Sequence, residues 1–305
     1  MAKQHREPDE QNRQAAPLFH QGERTFYDQD RDEDYRSRAG RGKKAGKKRK
    51  KTRGIDILYN IAIALFAVVF LVCAGLLGKR FLDDRQLESN VAELESLIKE
   101  EPQDSGSTEE EPLTNAEKFA RLVERNSDFI GWITIENTNV NFPVMQSSPD
   151  NKDFYLRHNF DREYDDYGVP YLDEDCTLTA DARSTNLIIY GHHMKSGTVF
   201  GSLTNYKKAS YYDEHPTIEF DTLYGDGTYE VFGAFAIDVV TGDFPYNTYI
   251  DMDETTFNEF VDQVKQRSDV DSGITPVYGD QLLTLSTCEY STDNGRYVVC
   301  ARKIS

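Results

Sequence analysis

Between Ile61 and Leu77 no polar side chain interrupts the chain, and with Ile57 and Leu58 ahead of it the segment approaches the ~20 residues that a helix needs to cross a bilayer. Read as one membrane crossing, it divides the chain into two parts that meet different surroundings. Eleven Lys or Arg and no acid stand between Arg36 and Arg53. The positive-inside rule then leaves residues 1–54 in the cytoplasm and everything after Lys79 outside. The basic block is too charged to fold alone. Its plain reading is a charge anchor beside the membrane, with a specific nucleic-acid or lipid contact as the alternative.

Two processing readings compete with a retained anchor. Val72-Cys73-Ala74 has the form of a signal-peptidase site, yet more than fifty residues precede the apolar run, unlike a secretory peptide. Val72 is also bulkier than the small residue expected before a lipoprotein cysteine. Cys73 therefore reads as a buried, inert thiol.

The formal charge of −18 conceals an imbalance: residues 1–78 carry 16 basic and 10 acidic side chains, and the remainder carries 19 and 43. An outer part this acidic argues against a nucleic-acid partner, because phosphate binding draws on concentrated Lys and Arg. It retains three cysteines, Cys176, Cys288 and Cys300. An odd number excludes a full disulfide framework, while a Cys176–Cys300 or Cys288–Cys300 bridge stays open.

Past the apolar run, Leu82, Leu87, Val91, Leu94, Leu97 and Ile98 recur at near-helical spacing, so the helix continues as a stalk or restarts as an amphipathic one. Residues 101–112 form a polar, Pro-bounded linker. From Leu113 a folded domain is expected. Thr114 and Glu117 have capping-box spacing ahead of a helix with Phe119, Leu122 and Val123 on one face. About eight β-prone runs follow: 129–135, 140–144, 170–172, 186–190, 217–220, 229–240, 281–287 and 296–304. A further helix over 254–267 carries Phe257, Phe260, Val261 and Val264 at i, i+3, i+4 and i+7. The pattern predicts a mainly β fold, an antiparallel barrel or sandwich with helices attached. The expected divisions are a disordered basic tail (1–54), a transmembrane anchor (55–78), an extracellular stalk and linker (79–112) and the folded domain (113–305).

Three strand ends carry candidate chemistry. The run 282–287 delivers the thiol of Cys288, the run 186–190 breaks at Gly191 and presents His192, and Arg296 opens the last run. A thiol becomes an effective acyl acceptor when a nearby cation favours its thiolate, an imidazole can carry protons, and a guanidinium can hold a developing oxyanion. His193 competes with His192. The sharp turn allowed by Gly191 is expected to expose the imidazole. Taken singly, Cys288 is as readily a core residue and Arg296 a surface one.

Tyr190-Gly191-His192-His193-Met194, Thr284-Leu285-Ser286-Thr287-Cys288 and Arg296-Tyr297-Val298-Val299, in that order and spacing, resemble the sortases of Gram-positive bacteria. The segment Tyr155-Leu156-Arg157-His158-Asn159-Phe160-Asp161 and the helix over 254–267 narrow the resemblance to class B. It covers about residues 115–305. The resemblance implies an eight-stranded sortase-type β-barrel with N-terminal helices and a helix in the connection between its sixth and seventh strands, preceded by one transmembrane helix. It also implies a cell-surface cysteine transpeptidase. In that scheme Cys288 attacks the carbonyl after Thr of a C-terminal sorting signal, His192 moves protons, and Arg296 orients the signal and steadies the oxyanion. An amine of cell-wall peptide or of another surface protein resolves the thioacyl enzyme, with no cofactor and no metal. Ser286 and Thr287 are candidates for substrate binding, and the region 246–267 for the groove. The long tail over 1–54 departs from what the class leads one to expect.

Rival readings are a cysteine peptidase, in which water resolves the acyl group, and a non-catalytic adhesion or scaffold module with Cys288 in the core. A metal site at the adjacent His192 and His193 lacks a third ligand nearby in sequence. His5, His20, His158 and His215 read as ordinary surface or structural residues.

Overall fold

The β-prone runs become eight strands in the computed structural model, which describes residues 53–99, 113–291 and 294–305. Nearly all of the expected basic tail and the linker over 101–112 lie outside the described residues. By contacts the chain parts into two compact units, Met1–Asn60 and Ile61–Ser305. The first is described only as the opening of helix α1 (Arg53–Lys99). Among the described residues α1 is the one helix long and apolar enough to cross a membrane.

Within the second unit the strands are β1 (Phe129–Thr134), β2 (Asn141–Met145), β3 (Tyr171–Leu172), β4 (Asn186–Tyr190), β5 (Thr217–Thr222), β6 (Thr228–Asp238), β7 (Leu282–Cys288) and β8 (Gly295–Lys303). They close into a barrel in the order β1-β2-β3-β4-β7-β8-β6-β5. Closure removes the exposed strand edges that an open sheet would leave. Most pairings are antiparallel, but β2 pairs with β3 and β4 with β7 in parallel. Parallel neighbours need a long crossover. The one between β4 and β7 carries β5, β6 and the helices α4 (Ala209–Glu214) and α5 (Glu254–Arg267).

Side chains of a strand alternate between its faces, and both faces of β7 and β8 are covered. Leu283, Leu285, Tyr297, Val299 and Ala301 join the barrel interior. Leu282, Val298 and Cys300 join Phe257, Phe260, Val261 and Val264 of α5 in a second layer outside the barrel. Asp253 caps α5 by accepting from the Thr256 amide. The expected helix over 254–267 thus forms over its full length, with its four apolar residues buried.

The N-terminal helices form a third packed layer. Thr114 and Glu117 make the expected capping box on α2 (Asn115–Lys118), and α3 (Ala120–Arg125) follows after Phe119. Phe119 and Leu122 pack with Phe129, Tyr155, Phe160 and Leu94 of α1. Arg125 ties the layer together, reaching Glu93 of α1 at 2.7 Å and both carboxylate oxygens of Asp161 at 2.7 Å. The packed body therefore takes in the end of α1 as well as residues from Leu113 onward.

All four cysteines are free. Cys176 belongs to the barrel interior and Cys300 to the layer under α5. Cys288 stands four residues along β7 from Thr284, the partner of Cys300. At ~3.4 Å per residue that separation exceeds what a disulfide spans.

Candidate active site

Strand direction brings the three candidates to one end of the barrel. β4 and β7 run the same way and β8 runs back along β7, so the C-terminal ends of the first two meet the N-terminal end of the third. Cys288 and Arg296 are direct cross-strand partners. Partners of that kind project to the same face with Cβ atoms about 5 Å apart. The thiol and the guanidinium are therefore neighbours by register, on the face that Ser286 and Val298 also share.

In the parallel pairing Tyr190 stands beside Ser286, and the Gly191 amide donates to the Ser286 carbonyl at 3.1 Å. The ladder ends at that pair; His192 lies two residues past Tyr190 and Cys288 two residues past Ser286, at the same end of the barrel. Gly191 does not adopt a left-handed turn, as the expected sharp bend would need. A Cβ there would lie 2.5 Å from the Phe200 ring, so glycine is required for close approach and not for turning.

Each imidazole is oriented by a backbone carbonyl. Nε2 of His192 lies 2.7 Å from the Leu156 oxygen. A carbonyl only accepts, so Nε2 carries the proton and Nδ1 is left for exchange. Burial lowers the His192 pKa, aided by the Arg157 cation, while the Leu156 contact works the other way. Nδ1 of His193 lies 2.8 Å from the carbonyl oxygen of Cys288 itself. The Tyr290 hydroxyl donates to the His193 carbonyl at 3.2 Å, and the two rings lie 5.1 Å apart.

Ser286 and Thr287 point in opposite directions. Ser286 shares the Cys288 face, where its hydroxyl and that of Tyr246 are 2.7 Å apart and buried. Thr287 faces the interior, donating to the Gly191 carbonyl at 2.8 Å. Its hydroxyl is spent on the peptide that precedes His192 and not offered to the open side. Just beyond the thiol, Lys207 donates to Glu289 at 2.8 Å. Burial alone would raise Glu289, but Lys207 and Ser291 outweigh it and hold the carboxyl down at about 2.

Three contributors escaped sequence reasoning. Leu156 acts through its carbonyl, for which no side-chain signal exists. The segment 155–161 that carried the class B likeness is nonetheless where it lies, and the Tyr155 hydroxyl anchors that segment by donating to Asp128 at 2.7 Å. Tyr246 falls within the region expected to line the groove, with nothing in the letters to single it out. Tyr290 had no signal beyond its nearness to Cys288. His158 stacks on Phe154 at 3.9 Å and His215 contacts the Glu136 carbonyl at 2.9 Å.

Among the described residues one group of carboxylates, Asp173, Glu174 and Asp175, is close enough to hold a cation. Asp173 already accepts from the Tyr190 hydroxyl at 2.7 Å and from the Asp175 amide at 2.9 Å, and Glu174 pairs with Lys152 at 3.0 Å. Protein partners thus already take up the Asp173 and Glu174 carboxylates.

The sortase domain family matches residues 133–304. The chain belongs to the sortase family. Sortase B of Staphylococcus aureus is 31% identical over 242 residues, covering 79% of this chain and 94% of that protein. Sortase B of Listeria monocytogenes is 33% identical over 186 residues, 60% and 73% of the two chains. Among solved structures, a Staphylococcus aureus sortase B-substrate complex superposes with a TM-score of 0.62 at 31% identity, covering 73% of this chain and 99% of that one. A sortase B from B. anthracis, in complex with AAEK1, gives 0.60 at 27% identity, covering 74% and 99%. These relatives set the chain in class B, and the sortase is a cysteine transpeptidase with the closed eight-stranded barrel of that class.

Proposed function

We propose that this sortase is a membrane-anchored enzyme that cleaves a C-terminal sorting signal after Thr and joins the surface protein to an amine of cell-wall peptide. The cross-strand pairing of Cys288 with Arg296, beside the strand whose end leads into His192, is the observation that carries the reading. The Cys288 thiolate attacks the carbonyl carbon of the Thr residue, and the electron pair of the C=O bond moves to oxygen. The Arg296 guanidinium, fixed in charge and planar, stabilises that oxyanion. As the tetrahedral species collapses, the C–N bond breaks and the departing nitrogen takes a proton from the His192 imidazolium. The thioester that remains is attacked by the incoming amine, His192 recovers a proton, and Cys288 leaves as thiolate. One amide is exchanged for another, so the balance calls for no oxidant or reductant.

The Leu156 contact on Nε2 supports this role for His192, because it leaves Nδ1 for proton traffic. His193 contacts the backbone of Cys288, which fits support of the nucleophile's strand end. Ser286 and Tyr246, on the Cys288 face, are proposed to line the substrate groove, while Thr287 holds Gly191. The Staphylococcus aureus relative is described as a substrate complex, and by likeness a sorting-signal peptide is the expected partner here. The proposed organisation is a cytoplasmic tail (1–54), one membrane crossing (55–78), a stalk and linker (79–112) and an extracellular catalytic domain (113–305), with orientation argued from the basic block.

The test is product analysis of the full chain in detergent with Asn-Pro-x-Thr-Asn and Pro-x-Thr-Gly peptides, with and without an added amine. Transfer product that grows with amine concentration is expected. Hydrolysed product alone, with the amine unused, would favour the peptidase reading, and no product of either kind would favour the scaffold reading.

A further inference from the structure

One carboxylate oxygen on the stalk joins the two segments that between them hold the His192 ring. Oδ1 of Asp84, on α1, accepts from the Tyr167 hydroxyl at 2.7 Å and from the Ser196 hydroxyl at 3.3 Å. The two donors are far apart in the chain and belong to different sides of the His192 contact.

Tyr167 belongs to the segment that encloses the Leu156 carbonyl, the partner of Nε2. The Asp165 amide donates to the Arg157 carbonyl at 2.9 Å and the Val169 amide to the Tyr155 carbonyl at 3.1 Å, so the Leu156 peptide is gripped from both sides. Gly168, next to Tyr167, is left-handed with a φ of 57°, and a Cβ there would lie 2.6 Å from the Leu156 oxygen. Only glycine allows that approach. A tie on Tyr167 is therefore a tie on the acceptor.

Ser196 belongs to the loop that carries the ring. The Phe200 amide donates to the His192 carbonyl at 3.0 Å, His193 bridges Val199, and the Gly197 amide donates to the Met194 carbonyl at 2.9 Å. Inside this loop the Ser196 and Thr198 hydroxyls are 2.9 Å apart. Val199 is buried at a φ of 53°, a left-handed backbone that is costly for a β-branched residue and persists only where its surroundings over-determine it. The loop is thus one braced piece, and a tie on Ser196 is a tie on His192.

Holding α1 in place does not call for these bonds. Leu87, Val91 and Leu94 pack against the body, and Glu93 pairs with Arg125 at 2.7 Å. Asp84 lies ahead of that attachment, where α1 has just left its exposed stretch. The ring, in contrast, is sensitive to small displacements. A drift of about 1 Å would take the 2.7 Å contact between Nε2 and the Leu156 oxygen past hydrogen-bond length. The tautomer would then no longer be selected, because the partner of one ring nitrogen decides which nitrogen holds the proton.

We propose that Asp84 is a positioning residue for His192: it clamps the segment that supplies the Leu156 acceptor to the loop that carries the imidazole, and so fixes which ring nitrogen is left for proton transfer. Asp84 bears on catalysis in this way only if His192 carries the proton, as the transpeptidase reading has it. The stalk is then part of the enzyme's working geometry as well as its tether.

The experiment uses the full chain in detergent with histidine isotope-labelled at both ring nitrogens, and reads the His192 tautomer by NMR at neutral pH. His192→Gln identifies the signal by its loss. In the unmodified chain the proton is expected on Nε2 alone. Asp84→Ala is expected to populate both tautomers and to lower kcat about tenfold, as a small misplacement does, with KM for an Asn-Pro-x-Thr-Asn peptide unchanged. Asp84→Asn, whose amide oxygen still accepts from both hydroxyls, should restore the single tautomer and the rate. Tyr167→Phe with Ser196→Ala should match Asp84→Ala, and adding Asp84→Ala to that pair should cost nothing further. Should Asp84→Ala fail to fold, the Tyr167→Phe and Ser196→Ala variants give the same readouts. An unchanged His192 signal in the variants that remove these bonds overturns the clamp whatever the rate does, and so does a loss of rate that Asp84→Asn leaves unrestored. If the unmodified chain forms neither transfer nor hydrolysis product while loss of the Asp84 bonds still releases the tautomer, the transpeptidase reading fails and the clamp on the ring stands.

Discussion

The two faces of β7 do different work. Leu283, Leu285 and Thr287 turn inward, where the first two fill the barrel and the third holds the Gly191 carbonyl of the neighbouring strand. Ser286 and Cys288 turn outward, where they meet Tyr246 and Arg296. One face fixes where the histidine strand lies; the other carries the residues proposed to react. The difference teaches that position and reactivity are separable here, and that single substitutions two residues apart disturb one without the other.

The largest effect is expected from Cys288→Ala, which removes both transfer and cleavage. Cys300 shares that face but is fully buried and pushed up to about 12 by burial, so it offers no replacement thiolate. Rates of product formation check this, and residual turnover above background would place the nucleophile elsewhere. Next, His192→Gln is expected to cost about 10²–10⁴-fold in kcat, as removal of a positioned proton carrier does. His193→Gln should cost less and leave the pH profile in place. In an NMR titration the His192 ring is expected to change protonation below the ordinary 6.5, since burial disfavours its charged form.

Arg296→Ala is expected to lower kcat by about 10²–10³-fold, with Arg296→Lys restoring part of the charge and none of the fork geometry. Thr287→Val tests the inward face. It leaves the Gly191 carbonyl without its hydroxyl donor and should cost about 1–3 kcal/mol of stability, readable as a shift in denaturation midpoint. A thiol reagent should still label Cys288 in the folded variant, and Thr287→Ser should restore both stability and turnover. If Thr287→Val abolished labelling but left stability untouched, the division between the faces would fail.

The smallest effect concerns the loop after the thiol. Glu289 has a folded pKa of about 2 against an ordinary 4.5, so the stability it contributes is present above the ordinary value and is lost as pH falls toward 2. Lys207 is 42% exposed, which screens the pair and limits its worth to about 1 kcal/mol. Glu289→Gln should therefore flatten the acid limb of a stability-versus-pH curve between those values. An unchanged limb would show that the pair contributes nothing there.

Much of this was legible in the letters because short strands buried on both faces leave continuous apolar runs. The runs around Asn186–Tyr190 and Leu282–Cys288 have their apolar residues where the barrel needs them, and the four apolar residues of α5 follow helical spacing closely. The cross-strand partnership of Cys288 and Arg296 was not legible, because register depends on the connection that closes the pair and on neighbours distant in sequence. Gly191 suggested a turn, whereas the constraint comes from Phe200, nine residues away and adjacent only in the fold. Leu156 contributes a backbone atom, and backbone atoms are the same at every residue. The docking of α1 through Leu94 and Asp84 was invisible for a related reason: amphipathic spacing announces a face to be covered but does not name what covers it.

The thioacyl link at Cys288 is tested most directly by intact-mass and peptide-level mass spectrometry of the full chain after brief incubation with a sorting peptide and no amine. A mass gain equal to the acyl fragment ending in Thr is expected on the peptide containing Cys288. It should be absent from Cys288→Ala, reduced in Arg296→Ala, and discharged when an amine is added. Cleavage of the sorting peptide with no adduct on Cys288 at any time would contradict the account.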